Sequence, residues 1–324
     1  MKCPVTQDVA LAARFLREGK LVAFPTETVY GLGANAIDET AIARVYAAKQ
    51  RPHFDPLIVH FAELSQLKQA VKCFPPEMKR LAENYWPGPL TLVLPKSDWI
   101  PDLVTSGLDT VAVRIPGDDR ARELIRLAGL PIAAPSANRF GCISPTTAQH
   151  VVDQLGSDID LILDGGPCRI GVESTVLQWT DDGPVLLRFG GLPLEELEAL
   201  IGPVRTQTNH AASDSKNAPA GPGMLSKHYA PNTRLMIVDE VPTSIPPRCG
   251  LLSWRPVDEG SQGKFQLVET LSAQGDLTEA TANFYAALRR LDAQQLDVIL
   301  AIQFPEEGLG RALNDRLQRA AVRE

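Results

Sequence analysis

The first two hundred residues of this chain alternate short apolar runs with segments of helical periodicity. Apolar runs occupy residues 21–24, 57–61 and 111–115, and helical segments include residues 8–17 and 38–49. This alternation predicts an α/β domain in which helices cover a sheet. Several apolar runs end in Pro, Ser, Thr, Asn or Gly, and polar groups at strand ends favour a ligand cleft there.

One strand end carries an unusual density of polar and special residues. Residues 24–33 read FPTETVYGLG, so two threonines, a glutamate and a tyrosine directly follow an apolar run. Pro25 removes a backbone donor and ends the strand ladder. Gly31 and Gly33 allow a tight turn or a close approach to a ligand. A plain turn with threonine caps is the alternative, but the density of polar groups favours a binding loop.

The length of 324 residues predicts two domains, because a single core rarely grows beyond about 250–300 residues. We predict a catalytic domain at residues 1–203, a linker at 204–232 and a small α/β domain at 233–324. The linker is rich in Ala, Ser, Asn, Pro and Gly. It ends in a Lys-His-Tyr cluster at residues 227–229, which favours a segment that closes over the active site.

Composition limits the partners and the compartment. The net charge of -7 argues against a large basic surface, so direct tRNA binding is expected to be weak or absent. No apolar stretch is long enough for a membrane span or resembles a signal core, which predicts a soluble, cytoplasmic protein. The five cysteines are scattered without a CxxC pair, which predicts reduced thiols and no structural zinc site.

Isolated basic side chains are the candidates for anion recognition. Lys49 and Arg51 follow a predicted helix, where they serve either the helix dipole or a phosphate clamp. Arg114 lies within the apolar run VAVRIP, and the pattern leaves a salt bridge and a ligand contact equally open. Arg188 lies in a second apolar run. His60 lies in the run LIVHF, where a lone histidine is more often a core residue than a catalyst.

Other chemistries have weaker support in the sequence. Residues 31–36 match the dinucleotide pattern GxGxxA, with Asp55 about twenty residues further on. We reject this match because the next helix starts only near Asp38 and Asp55 follows prolines. The sequence contains no GxxxxGK[ST] or GxSxG motif. The remaining hydroxyls, amides and cations suit phosphoryl or nucleotidyl transfer, which depends on positioning and charge stabilisation.

Eight motifs in order along the chain resemble the two-domain threonylcarbamoyl-AMP synthases of the YrdC-like superfamily. They are FPTETVYGLG, KQRPHFDPLIVH, WPGPLTLVL, VAVRIP, PIAAPSAN, ESTV, LLRFGG and PGMLSKHYAP. The resemblance implies an N-terminal YrdC-like domain, with a twisted mixed sheet, helices and a ligand cleft. A smaller C-terminal Rossmann-like α/β domain follows.

The resemblance also implies a nucleotidyltransferase reaction. ATP, L-threonine and bicarbonate would give L-threonylcarbamoyladenylate and pyrophosphate, with Mg²⁺ accompanying ATP. This is the first step of threonylcarbamoyladenosine modification of ANN-decoding tRNAs, and the product would pass to the tRNA threonylcarbamoyl-transferase machinery. Selection of threonine over serine rests on one methyl group, worth about 1–3 kcal/mol, so partial selectivity is expected.

Site residues follow from matching the motifs, and none is assigned as a catalytic acid or base. The implied L-threonine contacts are Thr26, His60, Arg114, Ala134 and Ser174. The implied ATP contacts are Lys49, Arg51, Asp55, Thr110, Ser136, Asn138, Ser144, Arg188 and Tyr229. Asp55 departs from the family pattern, which usually has Asn there. Its carboxylate would either repel phosphate or help to hold a metal.

Two rival functions belong to related domains. The first is RNA or nucleotide binding without catalysis, against which the acidic net charge counts. The second is carbamoyl transfer in hydrogenase maturation, whose proteins add acylphosphatase and zinc-finger parts. This chain lacks the cysteine pairs that those parts need.

Overall fold

A computed structural model describes residues 3–206 and 228–322, which form fifteen strands and eleven α-helices. The strands are β1 (Val5–Thr6), β2 (Val22–Phe24), β3 (Gly31–Asn35), β4 (Ile58–His60), β5 (Leu90–Pro95), β6 (Thr110–Arg114), β7 (Ile132–Ala133), β8 (Leu161–Leu163), β9 (Thr175–Thr180), β10 (Gly183–Arg188), β11 (Arg205–Thr206), β12 (Arg234–Val238), β13 (Cys249–Ser253), β14 (Leu267–Thr270) and β15 (Val298–Ile302). The helices are α1 (Val9–Arg17), α2 (Glu39–Lys49), α3 (Leu67–Ala70), α4 (Pro76–Tyr85), α5 (Asp102–Thr105), α6 (Asp119–Ala128), α7 (Ala148–Leu155), α8 (Leu194–Ile201), α9 (Glu259–Gln262), α10 (Leu277–Asp292) and α11 (Leu309–Ala321). Within the described ranges, none of these helices has the length and apolar character needed to cross a bilayer.

The first eleven strands form one mixed sheet in the described part of the chain. Their order is β1-β8-β2-β3-β7-β4-β6-β5-β9-β10-β11. Strand β4 pairs with β6 in parallel, whereas β5 pairs with β6 antiparallel. The predicted α/β domain with a mixed sheet is therefore confirmed.

Alternation along β2 shows how both faces of this sheet are covered. Val22 and Phe24 pack with helix residues such as Leu16 in one apolar cluster. The intervening Ala23 packs on the other face, in a larger cluster that includes Ile42. Successive side chains of a strand point to opposite faces, so apolar residues at consecutive positions require helices on both sides.

The two glycines of the FPTETVYGLG loop do not form its turn. Residues 25–30 make the turn, and Gly31–Asn35 is strand β3, paired antiparallel with β2. A Cβ on Gly33 would lie 2.8 Å from the Phe24 ring, and one on Gly31 would lie 3.2 Å from the Ala134 Cβ. The expectation of a tight turn at these glycines was therefore wrong, because they leave room for neighbouring side chains to lie against the strand. The alternative, close approach to a ligand, stays a prediction.

The remaining strands form a smaller parallel sheet, in the order β12-β15-β13-β14. Helices α10 and α11 cover it and bury Phe284, Leu288, Leu313 and Leu317. A second, smaller α/β domain is thus confirmed. The large sheet extends to β11 and the small sheet begins with β12, while the predicted boundaries at residues 203 and 233 stay predictions. Most of the predicted linker lies outside the described residues.

The two domains meet closely where the loop before β9 crosses helix α10. Gly171 has a φ of +85°, and its amide donates to the Thr28 carbonyl at 3.1 Å. A Cβ at this position would lie 2.5 Å from the Thr281 carbonyl oxygen and 2.6 Å from the Ala282 Cα. Backbone atoms on both sides cannot give way easily, so the packing of the domains here requires glycine.

We expect Gly171→Ala to lower the free energy of unfolding by about 2–4 kcal/mol, the sum of a left-handed conformation and a backbone clash. Gly129→Ala is the matched control, because Gly129 has a φ of +69° and a Cβ added there would meet no atom within 4 Å. That control should lose only about 1 kcal/mol. Thermal unfolding measured by calorimetry compares the two, and equal losses would contradict the close approach.

Candidate active site

A cleft lies at one edge of the large sheet, where several strand ends meet. His60 and Arg114 end the parallel strands β4 and β6 and are register partners. Arg188 ends β10 beside the start of β9. The cleft is lined by Thr26, Thr28, Val29, Gly31, Arg51, Pro56, Ile58, His60, Arg114, Ala134, Pro135, Ser136, Glu173, Ser174, Arg188, His228 and Tyr229.

Arg114 is held inside the cleft wall by three contacts. Its Nε donates to the Gly88 carbonyl at 3.1 Å, and its Nη1 donates to the Thr28 hydroxyl at 3.0 Å. Its Nη2 lies 2.7 Å from Glu27 Oε1 in an almost completely buried ion pair. The salt-bridge interpretation of this arginine is confirmed. Arg114 also lines the cleft, and its contact with a ligand stays a prediction.

The two threonines of the loop have different tasks. The Thr26 hydroxyl donates to the Val29 carbonyl at 2.7 Å and accepts from the Thr28 and Val29 amides at 3.2 Å. It therefore closes the turn, while the Thr28 hydroxyl contacts Arg114. Both line the cleft, but Thr28 was missing from the predicted set. The TET spacing could have indicated it, because residues two apart in an extended segment share a side.

His60 is buried with its Nδ1 lacking a hydrogen-bond partner in the described part of the chain. Burial, followed by the positive charge of Arg114, lowers the pKa of His60 to about 3. The ring is therefore neutral at physiological pH. The His60 side chain is among the cleft lining, so a ligand can contact its ring.

Arg51 lines the cleft and is fixed by its own loop. Its Nε donates to the Asp55 carbonyl at 3.1 Å, and its Nη2 donates to the Pro56 carbonyl at 3.0 Å. The same Nη2 lies 2.8 Å from Asp55 Oδ2. The unusual carboxylate of Asp55 is thus directed at Arg51. It offsets part of the cationic charge that this loop brings to the cleft.

Arg188 and Ser174 form the opposite wall. Nε and Nη2 of Arg188 donate to the Ser174 carbonyl at 3.1 and 2.8 Å, and Nη2 reaches the Ser174 hydroxyl at 3.2 Å. The Ser174 hydroxyl also lies 2.7 Å from that of Thr91. This network holds both the carbonyl and the hydroxyl of Ser174.

Five predicted nucleotide contacts lie behind or away from the lining. These are Lys49, Asp55, Thr110, Asn138 and Ser144. Lys49 Nζ donates to the carbonyls of Ser136 and Asn138. These bonds hold the loop that carries Ser136 in position at the cleft. Burial, and then the charge of Arg51, lowers the pKa of Lys49 well below its ordinary value.

Three further predicted nucleotide contacts, Asn138, Ser144 and Thr110, also lie outside the lining, each in a different place. The Asn138 amide donates to the carbonyls of Arg139 and Cys142, both at 2.8 Å. The Ser144 hydroxyl donates to Glu173 Oε1 at 2.6 Å. Thr110 begins β6, about 13 Å along the strand from Arg114. Their roles toward ATP stay predictions.

Besides Thr28, the cleft includes two titratable residues that sequence reasoning did not assign, Glu173 and His228. Glu173 is ionised: burial raises its pKa, but the arginines nearby, with Arg316 first, bring it below the ordinary value. His228 is buried, and burial lowers its pKa well below the ordinary value. The expected contact residue Tyr229 lies beside it, with ring centroids 4.1 Å apart. For His228 and Tyr229, the KHYAP motif was the only local sequence feature that indicated a place in the site.

Acidic side chains around the cleft do not form a protein site for Mg²⁺. Among the described residues, no three His, Cys, Asp or Glu side chains converge as metal ligands. The carboxylates of Glu27, Asp55 and Glu173 each pair with an arginine. All five cysteines are free thiols. The donor set therefore does not fit a protein-bound metal, and we derive no step through one.

Comparisons with known proteins agree over both domains. A family model described as telomere recombination matches residues 14–190, and one described as threonylcarbamoyl-AMP synthase, C-terminal domain, matches residues 192–322. The threonylcarbamoyl-AMP synthase of Pyrococcus abyssi is 47% identical over 97% of this chain and 94% of its own length. That of Bacillus subtilis is 45% identical over 97% of this chain and 93% of its own length.

The solved structure of a relative has the same fold as this chain. P. abyssi Sua5 complexed with L-threonine matches with a TM-score of 0.89 at 43% identity, covering 99% of this chain and 98% of that one. The agreement thus includes the sequence, both domains and the three-dimensional fold. The chain belongs to the two-domain threonylcarbamoyl-AMP synthase family of the Sua5/YrdC type.

Proposed function

We propose that the cleft makes L-threonylcarbamoyladenylate and pyrophosphate from ATP, L-threonine and bicarbonate. The observation that carries this proposal is the buried Arg114 guanidinium, facing a cleft that also contains Arg51 and Arg188. A cleft with several fixed arginine side chains suits the joining of two anionic substrates. The family to which the chain belongs, with members named threonylcarbamoyl-AMP synthase, supports the same reaction.

The threonine side is assigned to the wall around Arg114. A guanidinium with a fixed plane suits a carboxylate, because two N–H groups can meet two oxygens. Thr28 and Ser174 offer hydroxyls nearby, and the neutral His60 offers a hydrogen bond without adding charge beside the amino group. The relative from P. abyssi was solved in complex with L-threonine, which supports an amino-acid site in this fold.

The reaction forms two bonds in sequence. Bicarbonate takes up a proton and loses water to give CO₂. The neutral amine of threonine then adds to the CO₂ carbon, the electron pair of one C–O π bond moves to oxygen, and the nitrogen loses a proton to solvent. A carbamate oxygen then attacks the α-phosphorus of ATP, the bond to the bridging oxygen breaks, and pyrophosphate leaves. Arg51 and Arg188 are positioned to stabilise the phosphate charge that develops. Their fixed hydrogen bonds mean that little reorganisation is needed.

The remaining partners follow from this chemistry. We propose that Mg²⁺ arrives as a ligand of the ATP phosphates, because the paired carboxylates offer it no protein site. The adenylate is a reactive mixed anhydride, and we propose that a tRNA threonylcarbamoyl transferase consumes it. We propose this hand-off in the cytoplasm, without stable binding of tRNA by this chain.

Pyrophosphate release from ATP tests the reaction directly. We expect release that requires L-threonine and bicarbonate together, with L-serine giving slower release because its side chain lacks one methyl group. The measurement is a coupled pyrophosphate assay in CO₂-free buffer, with each substrate omitted in turn. Release without threonine, or no release with all substrates, would refute adenylate synthesis and favour nucleotide or RNA binding alone.

Arg114→Lys tests the threonine side. Lysine keeps a positive charge beside Glu27 but loses the bidentate geometry, so we expect the KM for threonine to rise at least about tenfold. The KM for ATP should change by less than about twofold. Arg126→Lys is the control, since Arg126 is exposed and pairs only loosely with Glu63 at 3.5 Å. An unchanged threonine KM in Arg114→Lys would remove Arg114 from this role.

Arg188→Ala tests the nucleotide side. We expect ATP binding, measured by calorimetry, to weaken at least about a hundredfold while the fold is retained. Arg205→Ala is the control on the neighbouring strand, where Arg205 is exposed and donates to the Thr180 hydroxyl. Normal ATP affinity in Arg188→Ala, with a native unfolding temperature, would refute the assignment.

A further inference from the structure

A buried polar cluster joins the small domain to the rear of the cleft. Arg316, on helix α11, has a side chain with no exposed surface. Its Nε lies 2.7 Å from Glu173 Oε2, and its Nη2 donates to the Phe189 carbonyl at 2.9 Å. Its Nη1 pairs with the neighbouring Asp315. A helix of the small domain thus supplies a cation to the wall of a cleft in the large domain.

Glu173 receives contacts from both domains. Ser144 of the large domain donates to its Oε1 at 2.6 Å, and the Tyr285 hydroxyl of helix α10 lies 3.0 and 3.1 Å from its two oxygens. With Arg316 on Oε2, the carboxylate is fully engaged. Glu173 lines the cleft. Its orientation, and through it that of Ser144, therefore depends on the small domain.

Tyr229 depends on the same arginine. Its backbone has a φ of +63°, a left-handed conformation that tyrosine adopts only at a cost. Its ring is buried, with the Arg316 Cζ 4.9 Å from the ring centroid and the Tyr285 ring 5.9 Å away. Surrounding contacts must hold such a conformation. A desolvated guanidinium over the ring is one such contact.

We propose that Arg316 is a positioning residue for the nucleotide. It holds Tyr229 and Glu173 at the cleft wall, with Ser144 bonded to Glu173 behind that wall, so that docking of the small domain and binding of ATP favour one another. This inference rests on the proposed nucleotide side of the cleft. Ser174, on the threonine side, is fixed instead by Thr91 and Arg188, so threonine binding should be insensitive to Arg316.

Coupling of this kind is reciprocal. If docking of helix α11 improves ATP binding, then ATP must stabilise the docked helix by the same free energy. Hydrogen exchange of the α11 amides, measured with and without ATP, reports this effect without any catalysis. A residue that only contributed to folding would leave the response of α11 to ATP unchanged.

The test compares Arg316→Met, Arg316→Lys and Arg311→Met in the full chain. Arg311 is the matched control, because it also lies on α11 but pairs with Glu195 of the large domain. Dissociation constants for ATP and for L-threonine are measured by calorimetry. We expect Arg316→Met to weaken ATP binding at least about tenfold, to leave threonine binding within about twofold, and to abolish the ATP effect on α11. Arg316→Lys should be intermediate, and Arg311→Met should match wild type.

Two results would overturn the inference: unchanged ATP affinity in Arg316→Met, or equal losses of ATP and threonine. If Arg316→Met fails to fold because Glu173 is left as an unpaired buried charge, Glu173→Gln with Arg316→Met removes both charges. That double variant should fold and still bind ATP weakly, since Tyr229 has lost its guanidinium. Wild-type affinity in the double variant would refute the inference.

The same experiments separate this inference from the proposed reaction. Wild-type protein that binds ATP but gives no threonine-dependent pyrophosphate release would refute adenylate synthesis, while the comparison of ATP affinities still decides the role of Arg316. Wild-type protein with normal synthesis and an Arg316→Met variant with normal ATP affinity would refute only the positioning role. Wild-type protein that does not bind ATP would refute both.

Discussion

Burial of permanent positive charge is the constraint on which this structure depends. Arg51, Arg114, Arg188 and Arg316 lie almost wholly inside the protein around one cleft. A guanidinium does not lose its proton at neutral pH, so each must find acceptors or leave a large desolvation cost uncompensated. Each has a carboxylate or carbonyl oxygen in contact. These pairings fix the loops at the strand ends and give the cleft a rigid, cationic wall before any ligand enters.

Sheet topology explains why these groups meet. Strands β4 and β6 are parallel and end at the same edge of the sheet. Strands β5 and β9 run in the opposite direction, so they begin at that edge. Residues far apart in sequence therefore lie at a single edge. The small domain then packs behind this edge rather than beside it. A helix near the end of the chain thereby contacts a loop that precedes β9. The two domains share this polar cluster and also an apolar cluster that includes Val29, Ile143 and Val172.

Structural features that depend on neighbouring residues in the sequence were predicted well. Features that depend on contacts between distant residues were not. Alternating apolar runs indicated the α/β fold, and the arginine within VAVRIP indicated a buried charge that needs a partner. The identity of that partner, Glu27, requires a register between strand ends that no local pattern encodes. Thr26 and Thr28 could not be distinguished without the turn geometry. Arg316 gave no signal, because an arginine on an amphipathic helix normally indicates solvent exposure.

The neutral imidazole of His60 has a consequence for the whole protein. Its pKa is about 3 in the folded chain, against an ordinary value near 6.5, and His228 is shifted in the same direction. Below the ordinary value, the unfolded chain takes up protons that the folded chain excludes, so the free energy of unfolding falls as the pH falls from there toward 3. The rings that keep the cleft free of extra charge therefore make the fold sensitive to acid.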